Sequence, residues 1–383
     1  MDRGHRLLDA AQRLRADMLD RLGTLVACES APGALPHLRS CAGLLARWGS
    51  QVLGRPAQRV VVDGLPHLLW PAEDQQVLLL GHFDTVFPVG TIRSRPFTVL
   101  GDIATGPGVC DMKAGIVQMF AALRLIEDTS RVGVLLTCDE ETGSVTSRPL
   151  IEREARRSSA VLVCEAATPE GDVKVARKGG SVYSLTVQGR AAHAGVEPHR
   201  GVNATVEVAH QILALGALGA TDGGGTSVTP TLLSAGTTTN TVPDRAHLAV
   251  DVRAWTRSEL ERVDDAIRAL VPFLSEATLT VGGGINRYPM SEELARPLLE
   301  LARSTARGLG IPDLGGAYAA GASDGNFTAA LGVPTLDGLG AVGGGTHASD
   351  EYVCVDRMPE RAALLAGLVD TLCAQGRPID EVP

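Results

Sequence analysis

No apolar run in the 383 residues approaches the roughly 20 needed to cross a bilayer, so a helical membrane span is excluded and no membrane partner is expected. The opening stretch MDRGHRLLDAAQRLRADMLDRLGTLVA also lacks the uninterrupted apolar segment of a secretion signal. Its Arg and Asp residues interleave with Leu and Ala at the spacing of an amphipathic helix. There is no CxxC pair: the seven cysteines (Cys28, Cys41, Cys110, Cys138, Cys164, Cys354, Cys373) form an odd set, several inside apolar runs. That pattern fits buried thiols in a reducing compartment better than disulfides, and a cytoplasmic location is expected. Long basic runs are missing too, and the net charge is -9, which removes the electrostatic footprint of a nucleic-acid partner. Internal repeats and low-complexity tracts are absent.

What remains is 44% hydrophobic and 21% charged, with 44 Gly and 21 Pro, the composition of an ordinary α/β globular protein. The length exceeds what one hydrophobic core usually serves, so two domains are expected. Three short apolar runs dominate the first half: 77–80 (VLLL), 132–138 (VGVLLTC) and 160–164 (AVLVC). Each has the length of a strand buried in a mostly parallel sheet. Between the first two, KAGIVQMFAALRLIED places Ile116, Met119, Phe120, Leu123 and Ile126 on one helical face, which predicts a strand-helix-strand crossover. After about Lys178 the character changes. SVYSLTVQG, LLSAGTTT, HLAVDVRAW and ATLTVGG read as alternating strands, with helical GVNATVEVAHQILALGAL and a Ser-capped SELERVDDAIRALVPFL between them. Strand, helix, strand, strand, helix, strand is the order of a ferredoxin-like α+β unit. The Gly-rich TDGGGTS inside it reads as a loop. The boundaries are therefore 1–178 and 285–383 for a mostly parallel α/β domain, with 179–284 inserted.

Each early strand runs into ionisable residues: VLLL into His82 and Asp84, VGVLLTC into Asp139, Glu140 and Glu141, and AVLVC into Glu165. The crevice outside the carboxyl ends of such strands is where ligands bind, so these groups should converge. Carboxylates gathered together repel one another unless a cation neutralises them. Two further clusters supply Asp111, in GPGVCDMKAG, and His347, in GGGTHASDEY. The glycines around Asp111 fit neither GxGxxG nor GxxxxGKS/T, so a nucleotide loop is disfavoured. Imidazole and carboxylate donors without Cys suit zinc or cobalt, and strand-end clustering alone leaves one ion or two open.

The motifs GHFDTV, GPGVCDMKAG, CDEETGS, VLVCE, RAAHAGVEPHRGVNA and THASDEY, in that order and over almost the whole chain, resemble the di-zinc metallopeptidase family of glutamate carboxypeptidases (carboxypeptidase G type), aminoacylases and succinyl-diaminopimelate desuccinylases. The resemblance implies two divalent ions, Zn2+ or Co2+: one on His82 and Glu165, the other on Glu141 and His347, with Asp111 bridging. It implies Glu140 as general base and His193 as the residue that stabilises the oxyanion. It further implies Arg253, Asn240 and Lys174 around a small substrate, with Arg253 clamping an α-carboxylate. Asp84, two residues along the strand from His82, would orient its imidazole. The inserted unit would then be a dimerisation or lid domain lending His193 to a partner in a homodimer. Two residues depart from the family pattern, Phe83 and Ala114, and both bear on pocket shape. His5, His37, His67, His199, His210 and His247 read as ordinary surface or core residues. The expected reaction is hydrolysis of an amide bond, as in a dipeptide, to release a C-terminal glutamate-like amino acid. Two alternatives stand beside it: a deacylase or desuccinylase acting on N-acyl amino acids, and a catalytically silent metal-binding interaction protein, against which the intact Glu140 argues.

Overall fold

The computed structural model describes residues 3–219, 225–311 and 314–375; residues 221–224 of the Gly-rich stretch and Met1 and Asp2 of the expected N-terminal helix lie outside the described residues. The described chain divides into two compact units: residues up to Ala176, Met290–Ala319 and those from Ser323 onward form the first, and Arg177–Pro289 with Ala320–Ala322 the second. The second unit extends beyond Gly284 because its last strand, Thr278–Arg287, stays paired through Arg287.

In the first unit a six-stranded sheet runs in the order Gln58–Val62, Leu65–Trp70, Val132–Thr137, Val77–His82, Ala160–Val163, Thr335–Leu336. The three apolar runs lie at its centre, paired in parallel and buried along their whole lengths. Their register sets the site: Leu80 is level with both Leu135 and Val163, so His82, the Asp139–Glu141 segment and Glu165 all emerge at one edge of the sheet. The two strands at the other end form an antiparallel hairpin turned at Asp63 and Gly64, both at positive φ.

The crossover helix spans Ala114–Leu125, and every residue from Ala114 to Leu123 is buried, so it has no polar face. Packed against helices Arg15–Ala27, Leu35–Leu53 and Met358–Gln375, it is interior rather than amphipathic. A Cβ on Gly115 would lie 2.1 Å from the Cys164 carbonyl oxygen, so glycine is what lets this helix start close to the strand that delivers Glu165. The N-terminal segment is two helices, Arg3–Arg13 and Arg15–Ala27, rather than one. No described helix is long and apolar enough to cross a membrane.

The second unit is an antiparallel sheet in the order Ser227–Ala235, Arg245–Ala254, Gly179–Gln188, Thr278–Arg287, with helices Ala204–Gly216 and Arg257–Arg268 sharing its core. Its four strands and two helices follow the ferredoxin-like sequence. The second helix starts one residue before Ser258: Thr256, not Ser258, caps it by accepting from the Glu259 N–H. Asn203 caps the first by accepting from Thr205 and Val206 N–H.

Glu207 on the first of these helices is buried and ties down the loop after the second. It accepts from Gln211 Nε2 (2.7 Å), Phe273 N (3.0 Å) and Leu274 N (2.7 Å). Burial raises its proton affinity, but the hydrogen bonds outweigh this and hold the carboxyl below its usual 4.5. A folded value below the unfolded one stabilises the fold above pH 4.5 and ceases to do so as pH falls through the folded value. Glu207→Gln should therefore lower the melting temperature near neutrality and converge on wild type toward about pH 3. Calorimetry at several pH values checks this, and a pH-independent gap would deny the carboxylate its role.

Candidate metal centre

Five donors come together at the sheet edge in two sets that share one carboxylate. His82 Nε2 lies 3.2 Å from Asp111 Oδ1 and 3.3 Å from Glu165 Oε1. His347 Nε2 lies 3.3 Å from Asp111 Oδ2 and 3.3 Å from Glu141 Oε2. Asp111 thus turns one oxygen to each imidazole. Within each trio the donor atoms are no more than 4.8 Å apart, the spacing of groups that could surround an ion. His82 is buried, whereas His347 stands at the mouth with its side chain 54% exposed, on a turn where its own φ is +65°.

The electrostatics show what the arrangement is built for. Burial opposes a charge on His82, but hydrogen bonds to the Asp111, Asp84 and Glu165 carboxylates outweigh it and hold the imidazole well above its ordinary value. Hydrogen bonds to Asp111 and Glu141 push His347 up to about 10. Burial likewise opposes the Asp111 charge, yet the two histidines hold its carboxyl well below the carboxylate range, while burial raises Glu141. Protons therefore sit where cations belong. Glu141 Oε1 is buried with no hydrogen-bond partner, an orphaned acceptor that a cation would satisfy. Three carboxylates and two neutral imidazoles, with no thiolate, nearly balance two divalent ions, so the residues fit the pair of hard or borderline cations that the family resemblance implies.

Supporting contacts fix these groups. Asp84 was expected to orient His82 through its carboxylate. Its main-chain oxygen is nearer to Nδ1, at 3.1 Å against 3.4 Å for Oδ1. The carboxylate also accepts from the main-chain N–H of Glu140 (3.3 Å) and of Glu141 (3.0 Å), so it anchors the turn Glu140–Thr142 as well. Glu140 is buried in that turn. His67 proves to be a core residue that braces the same segment. Its Nδ1 accepts from Cys138 N, which leaves Nε2 to donate to Thr146 Oγ1 (2.9 Å), and Thr146 in turn donates to Asp139 Oδ2 (2.8 Å). Asp324, in the GASDGN turn, accepts from Thr137 Oγ1 and Ser144 Oγ on the same segment. Sequence reasoning passed over Glu351, which lies in the THASDEY motif; it is fully buried and accepts three main-chain N–H bonds from residues 108–111.

The other predicted residues divide between the units. Lys174 belongs to the first, where its main-chain N–H and carbonyl bond Asp337. His193 and Asn240 meet within the second: His193 bridges to Thr241, and Ala194 N donates to the Asn240 carbonyl at 2.9 Å. Nδ1 of the exposed His193 accepts from Gly195 and Val196 N–H, both at 3.1 Å, so the neutral ring carries its proton on Nε2. Arg253 is not an open clamp: it grips Asp251 through Nε (2.9 Å) and Nη2 (2.8 Å), so a substrate carboxylate would have to compete with Asp251.

A shared carboxylate between two imidazole–carboxylate sets, beside a buried glutamate at the carboxyl edge of a mostly parallel sheet, marks a metal-dependent hydrolase. Residues 78–371 match the model of peptidase family M20/M25/M40, and the chain belongs to that family. Carboxypeptidase G2 of Pseudomonas sp. (strain RS-16) is 30% identical over 336 residues, 84% of this chain and 79% of that one. A succinyl-diaminopimelate desuccinylase of Pseudomonas syringae pv. tomato is 29% identical over 297 residues, 71% of this chain and 76% of the other. The crystal structure of aminopeptidase PepT from Bacillus cereus is similar in fold, with a TM-score of 0.72 and 20% identity, covering 94% of this chain and 99% of that one.

Proposed function

We propose that this metal-dependent amide hydrolase is a di-zinc carboxypeptidase, with Co2+ able to replace zinc, that releases a C-terminal glutamate-like amino acid from a dipeptide or related small amide. The observation that carries the reading is the placement of Asp111, one oxygen toward His82 and the other toward His347. His82 and Glu165 would hold one ion, Glu141 and His347 the other, and Asp111 both. When bound, the ions supply the positive charge that polarises the scissile carbonyl and acidifies the attacking water. Glu140 takes the proton from that water and delivers it to the departing amine, a transfer suited to a carboxylate held in a fixed turn. His193 Nε2–H donates to the developing oxyanion. Arg253 receives the α-carboxylate, exchanging its bond to Asp251 for one to substrate, with Asn240 and Lys174 lining the remainder.

The likeness to carboxypeptidase G2 over 84% of the chain supports a carboxypeptidase. The desuccinylase relative favours a second reading, an N-acyl amino acid substrate processed by the same residues. Side-by-side rates on folyl-glutamate, glutamyl dipeptides, N-succinyl and N-acetyl amino acids separate the two. A kcat/KM for an N-acyl amino acid at least about tenfold above that for every glutamate-terminated amide would overturn the first.

We also infer a homodimer formed through the second unit, in the cytoplasm, where the cysteines stay reduced. The strand Ser227–Ala235 is an edge of its sheet and leaves Leu232 and Leu233 exposed at 70% and 53%. This uncharged edge, bulged between Pro230 and Leu232, presents its two leucines as apolar surface for a second copy to cover. Leu232→Lys should shift sedimentation from dimer to monomer and, if His193 serves the partner's site, depress kcat with it.

A further inference from the structure

Asp111 and His347 reach the second proposed ion site from segments far apart in sequence, so something must fix one against the other. Glu351 stands between them. It lies four residues after His347, and its carboxylate accepts the main-chain N–H groups of the Asp111 loop: Gly108 at 2.8 Å on Oε2, Cys110 at 2.8 Å and Asp111 at 2.9 Å on Oε1. Gly108, at φ +69°, lets the loop curl its N–H groups toward a single anion. On the other side, the segment 345–351, which carries both His347 and Glu351, folds back on itself. Ala348 N bonds the Gly345 carbonyl at 2.9 Å, and a Cβ on Gly345 would come within 3.0 Å of the Asp350 carbonyl oxygen. The strand Tyr352–Cys354 then pairs with Ile103–Thr105, which leads into the Asp111 loop. One buried carboxylate thus joins the backbone of the shared ligand to the turn that presents His347.

We propose that Glu351 is a positioning residue for the ion held by Asp111, Glu141 and His347, clamping the Asp111 main chain to the His347 turn. This rests on the two-ion reading of the site. Glu351 touches neither ion nor substrate; it acts by holding Asp111 and His347 at one separation. Removing it frees three N–H groups in a buried place and lets the two ligands drift apart, while His82 and Glu165 keep their own supports at the ends of paired strands.

The test is a zinc titration of the ion-free protein against a competing chelator, alongside circular dichroism and melting of the same ion-free samples. Wild type should show two ions. Glu351→Ala should weaken one of them about 10–100-fold, the usual effect of losing a residue that orients a ligand, and the other by distinctly less. Glu351→Gln retains an oxygen for Cys110 and Asp111 N–H but turns an amide toward Gly108 N–H. It should fall between wild type and Glu351→Ala, and it decides the matter if Glu351→Ala does not fold. A lowered ion-free melting temperature with both zinc affinities unchanged would mean that Glu351 merely stabilises the fold, and would overturn the proposal. Failure of wild type to bind two ions would instead overturn the two-ion reading and this inference with it.

Discussion

Glu140→Gln is expected to leave a folded protein that still takes up two ions but hydrolyses its substrate about 10²–10⁴-fold more slowly, the contribution usual for a positioned proton-transfer group. The exchange nearly preserves volume and removes the carboxylate's charge, and with it the ability to accept a proton. The turn that carries Glu140 is held from its main chain, by the Asp84 carboxylate at residues 140 and 141 and by Asp139 at Thr146 and Ser147, so the substitution leaves its anchors in place. Single-turnover rates with metal analysis of the same samples make the check. Loss of an ion would reassign Glu140 as a ligand. A rate within about threefold of wild type would remove it as the base, since so small a change is under 1 kcal/mol in the barrier.

The residues most legible in the sequence are those whose position follows from strand periodicity. Runs such as VLLL and AVLVC permit little except a strand buried on both faces, and parallel pairing forces their carboxyl ends to one edge. His82, Glu141 and Glu165 are therefore brought together by periodicity alone. Asp111 and His347 sit in Gly-rich loops with no periodicity to place them: the residue types mark them as candidate ligands, but only the resemblance to a family assigns their roles. Their positions depend on Glu351, a carboxylate whose partners are main-chain N–H groups and so leave no signature in residue types. The helix Ala114–Leu125 shows a different limit. Its apolar stripe predicts a helix, but a second covering layer of helices buries the remaining face, and nothing in a local window reports a neighbour more than 200 residues downstream. The hairpin turned at Asp63–Gly64 carries a local signal of its own, since Asp-Gly between apolar stretches favours that turn. For Arg253 the residue type was informative and its partner was not: a guanidinium on a strand pairs with whichever carboxylate is nearest, and here Asp251, two residues away on the same face, takes it.

Asp111→Ala should cost more than the loss of any other ligand, because it removes a donor from both trios at once. In buffer where wild type retains two ions, His347→Ala and Glu165→Ala should each retain one, whereas Asp111→Ala should retain none. The decline in affinity at both positions should exceed the roughly 10–100-fold that loss of a supporting residue produces. Charge gives the reason. With three carboxylates present, two divalent ions leave the centre close to neutral. With two, a pair of ions would be left with one fewer anion to offset their charge, and their mutual repulsion would go uncompensated. Asp111→Asn tests that argument directly, since it keeps the size and one oxygen but not the charge. If bridging geometry alone mattered, the Asn variant would hold two ions; if charge governs, it should fail almost as fully as the Ala variant. Metal content after dialysis, measured by mass spectrometry on wild type and the four variants, distinguishes these outcomes. Retention of a single ion by Asp111→Ala, at the affinity seen in His347→Ala, would show that Asp111 serves only one ion and that the two sites are independent.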